Sequence, residues 1–378
     1  MIARRVIALL GRRDEPTDAV EDYCRHLGEA LVAHDIQLQI RRVPWNTHGW
    51  AASLDALRLQ AEAWGGSWVL VQYTALAWSL RGFPRRLLEI LRVLRKSGAR
   101  VAVVFHDAEP FAGTRLTDRI RRLVQLRVMR DAVAFSDHTV FTVVLERSSW
   151  LRRDFGRSSF IPVGANLPGA LDFEGHEEIH SPPTIGVFSI TGGTAGDAET
   201  RSIVAAVRHA ALELGPLRLL VFGRNADKRE NALRNALREV PVELLVSGVV
   251  GERELVKRFA DSDVLLFVRG TISSRRGSAI AGIACGVPVI ALQGAETAAP
   301  ITEAGVILLP EALDETSLAA RLGEALVRVL SDRNLRVQLV ERSRAAHDSH
   351  LSWPAIAAKY AEFLQRPTSA TRKTQQEK

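Results

Sequence analysis

The stretch from Thr271 to Pro310 reads TISSRRGSAIAGIACGVPVIALQGAETAAPITEAGVILLP, and its reading decides the fold. It opens on small polar and basic residues, Ser273-Ser274-Arg275-Arg276-Gly277-Ser278, then runs through a short apolar helical pattern to Cys285-Gly286. Glycine just past a helix end tolerates the left-handed turn there, and Pro288 soon after cannot continue the helix. Val289-Ile290-Ala291-Leu292 follows as a buried strand. The front end carries the chemistry. Free backbone N–H groups at a helix start hold partial positive charge, so a Ser/Gly-rich turn with two arginines suits a phosphate. Ser273 and Ser274 offer hydroxyl donors, Gly277 lets backbone come close to a ligand, and Ser278 turns its N–H and hydroxyl to an anion. Adjacent side chains rarely face one way, so one arginine is expected to meet the phosphate. Arg276, nearer the helix start, is the candidate, with Arg275 its neighbour. The plainer reading is an exposed basic turn.

The run Ala284-Cys285-Gly286-Val287-Pro288-Val289-Ile290-Ala291, followed by a Gly-containing loop and Glu303-Ala304-Gly305-Val306-Ile307-Leu308-Leu309-Pro310, resembles the donor-site segment of family 4 glycosyltransferases. The resemblance implies an α/β chain with the GT-B fold, two Rossmann-like doubly wound domains facing a cleft. Many members carry two glutamates, separated by seven residues, ahead of this run. The family uses one near the donor sugar and the other on the nucleotide ribose. Those positions here are Ser273 and Ala281, so neither carboxylate role carries over. What remains, S-S-R-R-G-S, resembles a branch with R-G-S in that loop. The implied activity is sugar transfer from a nucleotide-diphosphate sugar, with retention at the anomeric carbon, no metal and no cofactor beyond that co-substrate. Two rivals stand beside it. One is a non-catalytic partner of another transferase on the same fold, which the missing glutamates motivate; the other is a nucleotide-sugar epimerase.

Composition agrees with two soluble domains. The chain has 378 residues, 47% apolar and 25% charged, which supports ample core. Cys24 and Cys285 give no disulfide framework and fit a reducing cytoplasm. The apolar run Val6 to Leu10 is too short for a secretory signal, and Gly282, Gly286 and Pro288 break the longest uncharged stretch, so no membrane span is expected. Charge is uneven: residues 1–170 hold 25 Lys and Arg against 17 Asp and Glu, and the rest is nearly balanced. A basic half suits an anionic membrane face, a phosphorylated acceptor or nucleic acid, or is composition alone; the partners expected are the nucleotide-sugar donor, a glycan or lipid-linked acceptor and a peripheral membrane contact through this half, with no nucleic acid.

Strand and helix alternate along the first half, implying a parallel sheet covered on both faces. Ligands bind beyond the carboxyl ends of such strands. Three loops fall there: Gln72 to Trp78, His106-Asp107-Ala108-Glu109-Pro110, and Ile161 to Asn166. Tyr73, Trp78 and Glu109 are acceptor-side candidates. His106 is either a satisfied sheet-edge histidine or, as the resemblance implies, the strand-end histidine that reaches the donor sugar. A helix expected over Thr114 to Asp131 sets Arg115, Arg119, Arg122 and Arg130 on one side and Leu116, Ile120, Leu123 and Val124 on another. The plainer reading packs the apolar side on the core; the other docks the helix on anionic lipid.

Residues 169–183 read as a linker. Its His176-Glu177-Glu178-Ile179-His180 matches H-E-x-x-H, but zinc chemistry needs a sustained helix, and Gly175 and Pro182-Pro183 deny one. The second half restarts the alternation. Thr191-Gly192-Gly193-Thr194-Ala195-Gly196 nearly forms G-x-G-x-x-G between a strand and a helix, and the next strand ends in Gly223-Arg224. Gly192 and Gly193 are donor-binding candidates beside the plainer reading of a glycine turn shaping strand–helix packing, and Arg224 also fits the 2′-phosphate of NADP. The resemblance implies Arg224 near the donor phosphates and backbone at Val249 and Val250 on the base. Asp261-Ser262-Asp263 matches D-x-D but sits where a helix enters a buried strand, and reads as a structural turn. The expected division is 1–168 for the acceptor, 169–183 as linker, 184–350 for the donor, a terminal helix over 351–366 crossing back, and a polar tail over 367–378.

Overall fold

Strands apolar on both faces need helices above and below, and the chain meets that demand twice. The computed structural model describes residues 4–15, 17–113, 115–151, 156–167, 179–311 and 314–366. It divides into two units: residues 1–162 with 353–378, and residues 163–352. The first break falls at Pro162/Val163, ahead of the expected 168; most of the linker and the whole 367–378 tail lie outside the described residues.

Unit 1 runs β1 (Arg4–Leu10), α1 (Ala19–Leu31), β2 (Ile36–Arg42), α2 (Trp45–His48), α3 (Trp50–Ala61), β3 (Trp68–Tyr73), α4 (Arg86–Lys96), β4 (Arg100–Phe105), α5 (Leu116–Phe135), β5 (His138–Phe141) and β6 (Ser158–Phe160). Its six strands are parallel in the order β2-β1-β3-β4-β5-β6. Every residue of β3 is buried, which is why that segment reads as an unbroken apolar run. α1 starts where Asp18 accepts the N–H groups of Val20 and Glu21, and it turns Tyr23, Cys24, Leu27 and Leu31 inward.

Unit 2 runs β7 (Thr184–Phe188), α6 (Gly193–Leu214), β8 (Leu217–Phe222), α7 (Ala226–Ala236), β9 (Val242–Ser247), α8 (Glu252–Ala260), β10 (Val264–Thr271), α9 (Gly277–Ala284), β11 (Val289–Gln293), β12 (Val306–Pro310), α10 (Glu315–Ser331) and α11 (Arg333–Ala346). Its sheet, also parallel, is ordered β12-β11-β10-β7-β8-β9. After a π turn at His347–Leu351 the chain returns to unit 1 as α12 (Trp353–Leu364). There Tyr360 and Tyr23 join hydroxyls at 3.0 Å, Trp353 stacks on His26, and the Leu364 carbonyl accepts from Trp68 and Arg4.

α5 corrects the plainer sequence reading. It starts at Leu116 rather than Thr114, and its core face is Gln125, Val128, Met129 and Ala132. Leu116, Ile120 and Leu123 point outward, 73%, 49% and 65% exposed. Of the four residues expected to pack inward, only Val124 does so.

Candidate functional site

In unit 2 the turns leaving β7 and β8 are laced together. The Arg224 N–H donates to Ser189 Oγ at 3.2 Å, the Ile190 N–H to the Arg224 carbonyl, and the Asn225 amide to the Ile190 carbonyl. Gly223 sits at φ +92°, where an added Cβ would stand 2.6 Å from Ser189 Oγ, so only glycine fits. Gly192 caps α6 and Gly193 begins it, its carbonyl accepting from Arg229. Gly196 presses against the loop: a Cβ there would lie 1.9 Å from the Thr191 oxygen. Glu199, on the next turn of α6, is buried and accepts the Thr191 N–H at 2.8 Å.

Arg269, near the end of β10, completes this corner. Burial lowers its pKa below the usual arginine value; Glu199 opposes that shift and Arg224 adds to it. Its Nε is buried without a hydrogen-bond partner among the described residues. Arg269 thus lies within charge range of both Arg224 and Glu199, the latter engaged by a backbone N–H of the loop before a 22-residue helix. Such a corner favours an anion. Arg269 escapes sequence reading because it ends the apolar run Val264-Leu265-Leu266-Phe267-Val268, where a strand exit draws no notice.

The turn between β10 and α9 is more closed than expected. Ser273 is fully buried and donates its hydroxyl to Glu296 Oε2 at 3.3 Å; Ser274 is buried too, its carbonyl accepting from Val163. Neither presents a hydroxyl at the surface, which corrects the donor reading of both. Arg275 is clamped by Glu296, Nε to Oε2 at 2.7 Å and Nη2 to Oε1 at 3.2 Å. Arg276 caps α9 and its Nη2 lies near Gly270, on the strand that carries Arg269. Gly277 and Ser278 open α9 and are half-buried. Val249, exposed, and Val250 lie in the loop after β9, whose Gly248 carbonyl accepts from Gly223. Glu296, on the loop after β11, was missed because its partners lie more than twenty residues upstream.

The pairs that sequence matching offered to metals have other work. Asp263 accepts the backbone N–H groups of His180 and Thr184, at 3.0 and 2.6 Å, and holds the His180 ring at 2.8 Å. It is a structural turn that engages His180; His176, Glu177 and Glu178 of the H-E-x-x-H pattern lie outside the described residues. No cluster of three metal-binding side chains occurs among the described residues.

In unit 1 the carboxyl ends of β1, β3 and β4 surround a cavity of about 220 Å³ lined by Arg12, Asp14, Asp18, Gln72, Thr74 and Asp107, among others. His106 Nε2 meets Gln72 Oε1 at 2.8 Å, and its ring stands edge-on to Tyr23. Burial pushes its pKa down to about 4 against the pull of Asp18, so the imidazole is neutral at neutral pH. Tyr73 and Trp78 do not line this cavity. Trp78 is wholly buried with its indole N–H on the Gln72 carbonyl, and Tyr73 is buried edge-on to Phe105, so neither meets an acceptor directly. A strand exit suggests exposure for both, whereas the chain folds them back into the core. Glu109 accepts from Ser149 N and Oγ, each at 2.8 Å, and braces a neighbouring loop.

Two all-parallel six-stranded sheets with helices around each define a GT-B fold. No family model matches the chain, and no curated protein matches it in sequence. Solved structures do resemble it. The Anabaena protein HepE, in complex with UDP and glucose, is 13% identical over 96% of this chain and 99% of its own, with a TM-score of 0.62. A glycosyltransferase from Rickettsia africae is 12% identical over 97% and 98%, at 0.65. MurG of Acinetobacter baumannii is 10% identical over 96% and 99%, at 0.55. At such identities the likeness is one of fold.

Proposed function

We propose that this protein transfers a sugar from a nucleotide-diphosphate sugar to a glycan, lipid-linked or small-molecule acceptor, unit 2 binding the donor and unit 1 the acceptor. The observation that carries the reading is the half-buried Arg269 near the end of β10, its Nε buried without a hydrogen-bond partner among the described residues and within charge range of Arg224. Guanidinium groups and helix N–H groups there offset charge on the departing diphosphate, worth most where water is excluded. The neutral His106 suits a hydrogen bond to substrate rather than proton abstraction. Transfer retains anomeric configuration and needs no metal: Asp263 of the D-x-D pattern is already committed to His180 and Thr184. That HepE was solved with UDP and glucose makes UDP-glucose the donor to try first.

The non-catalytic reading keeps one observation: Ser273 and Ala281 are buried and carry no carboxylate. One experiment separates the two. Calorimetry should give UDP binding that weakens by about 1.5–3 kcal/mol in Arg269→Gln, the scale of a charged hydrogen bond, while uridine binding holds. Transfer or slow hydrolysis of UDP-sugars by the wild type should accompany it. Binding without any turnover selects the non-catalytic partner; equal UDP affinity in both proteins removes Arg269 from the donor site.

A further inference from the structure

The outer face of α5 combines apolar exposure with positive charge. At about 100° per residue, Leu116, Ile120 and Leu123 fall within an arc of about 60°, opposite the core face of Gln125, Val128 and Ala132. They are not a frayed edge of the core but a second apolar face. Leu80 and Phe111 are exposed as well, on segments tied to the helix through Arg121, which donates to the Arg81 carbonyl and lies over the Phe111 ring. Single exposed leucines are ordinary; a contiguous stripe on a folded surface marks a contact.

Charge identifies the contact. Arg115, Arg119, Arg122 and Arg130 are exposed around the stripe and form no ion pair among the described residues. The acids of this helix, Asp118 and Asp131, are already paired with Arg121 and Arg127. Beside the stripe, α4 and α5 bound an open cavity of about 510 Å³ lined by Arg85, Arg92 and Arg127 against one acid, Glu89. No described helix is long and apolar enough to cross a membrane. We propose that this face seats on a bilayer of anionic lipid, the three apolar side chains entering the headgroup boundary and the arginines meeting the phosphates. This deepens the sugar-transfer reading by putting the protein where a lipid-borne acceptor lies, yet its test needs no donor.

Flotation of the full chain with vesicles of phosphatidylcholine, alone or mixed with phosphatidylglycerol, reads it. Recovery should be high only with the mixed vesicles at low salt and should fall as salt rises. Leu116→Ser/Ile120→Ser/Leu123→Ser should keep the wild-type melting temperature, these side chains being exposed, and lose flotation. Each of Arg115→Gln, Arg119→Gln and Arg122→Gln should lower partitioning by about fivefold. Equal recovery with neutral and anionic vesicles overturns the proposal, as does a triple variant that still floats. A dimer in solution that the triple variant dissociates, without vesicle binding, assigns the face to a second copy instead.

Discussion

Arg275 and Glu296 close a two-pronged ion pair, at 2.7 and 3.2 Å, that ties the turn after β10 to the loop after β11. Arg276, at the N-cap position of α9, is the phosphate candidate of this turn. Arg276→Ala should weaken nucleoside-diphosphate binding by about 1.5–3 kcal/mol with little change for the nucleoside. Arg275→Ala should instead destabilise the fold by about 1–2 kcal/mol, the pair being partly buried. Calorimetry and melting curves on both variants check the split, and a reversed pattern refutes it.

Gly196 and Gly277 should respond differently to one added methyl. Gly196→Ala drives a Cβ into the Thr191 oxygen and should cost about 1–3 kcal/mol in stability, with diphosphate affinity falling as α6 shifts. At Gly277 nothing lies within 4 Å, so Gly277→Ala should melt like the wild type and lose only ligand affinity. Melting and binding measured side by side decide it.

His106→Ala should lower transfer by about a hundredfold while the fold and UDP affinity persist, the loss of one transition-state hydrogen bond. Gln72→Ala, which leaves the ring in place but unanchored, should cost less. Unchanged turnover in His106→Ala would leave the residue a packing histidine.

Acid should loosen unit 1 through two imidazoles. His106, against Gln72, Tyr23 and Asp18, and His138, against Ser159, Phe363 and Arg366, are each held down to about 4 by burial. An unfolded chain protonates them near the ordinary value of 6.5. Between those values the unfolded state binds more protons, so stability is full above about 6.5 and is lost as pH falls towards about 4. Each histidine contributes a slope of up to about 1.4 kcal/mol per pH unit. His138→Asn should flatten the pH dependence of urea unfolding; an unaltered slope would deny that ring its role.

The fold was legible because β3, β4 and β10 are buried on both faces, and a covered strand is what keeps so short an apolar run unbroken. Polar α7 lacks that signature and went unread. α5 was legible as a helix but not in its facing. A stripe at i, i+4 and i+7 looks the same whether it meets a core or the outside, since periodicity reports two unlike faces and not which one the protein covers. Within the candidate site, glycines and arginines next to each other in sequence stood out. The link from Arg275 to Glu296, and the grouping of Arg269 with Glu199 and Arg224, arise only when strands distant in sequence become neighbours.

The return of α12 sets a timetable for synthesis. Unit 2 is one continuous segment, whereas unit 1 needs the two segments that flank it, its Tyr23, His26 and Trp68 waiting for Tyr360, Trp353 and Leu364. At about 5–20 residues per second, a ribosome leaves the N-terminal sheet unlatched for roughly ten to forty seconds while all of unit 2 emerges. The segment made before unit 2 is thus finished after it, and a nascent chain stopped short of Trp353 carries one closed unit and one still open to chaperones and proteases.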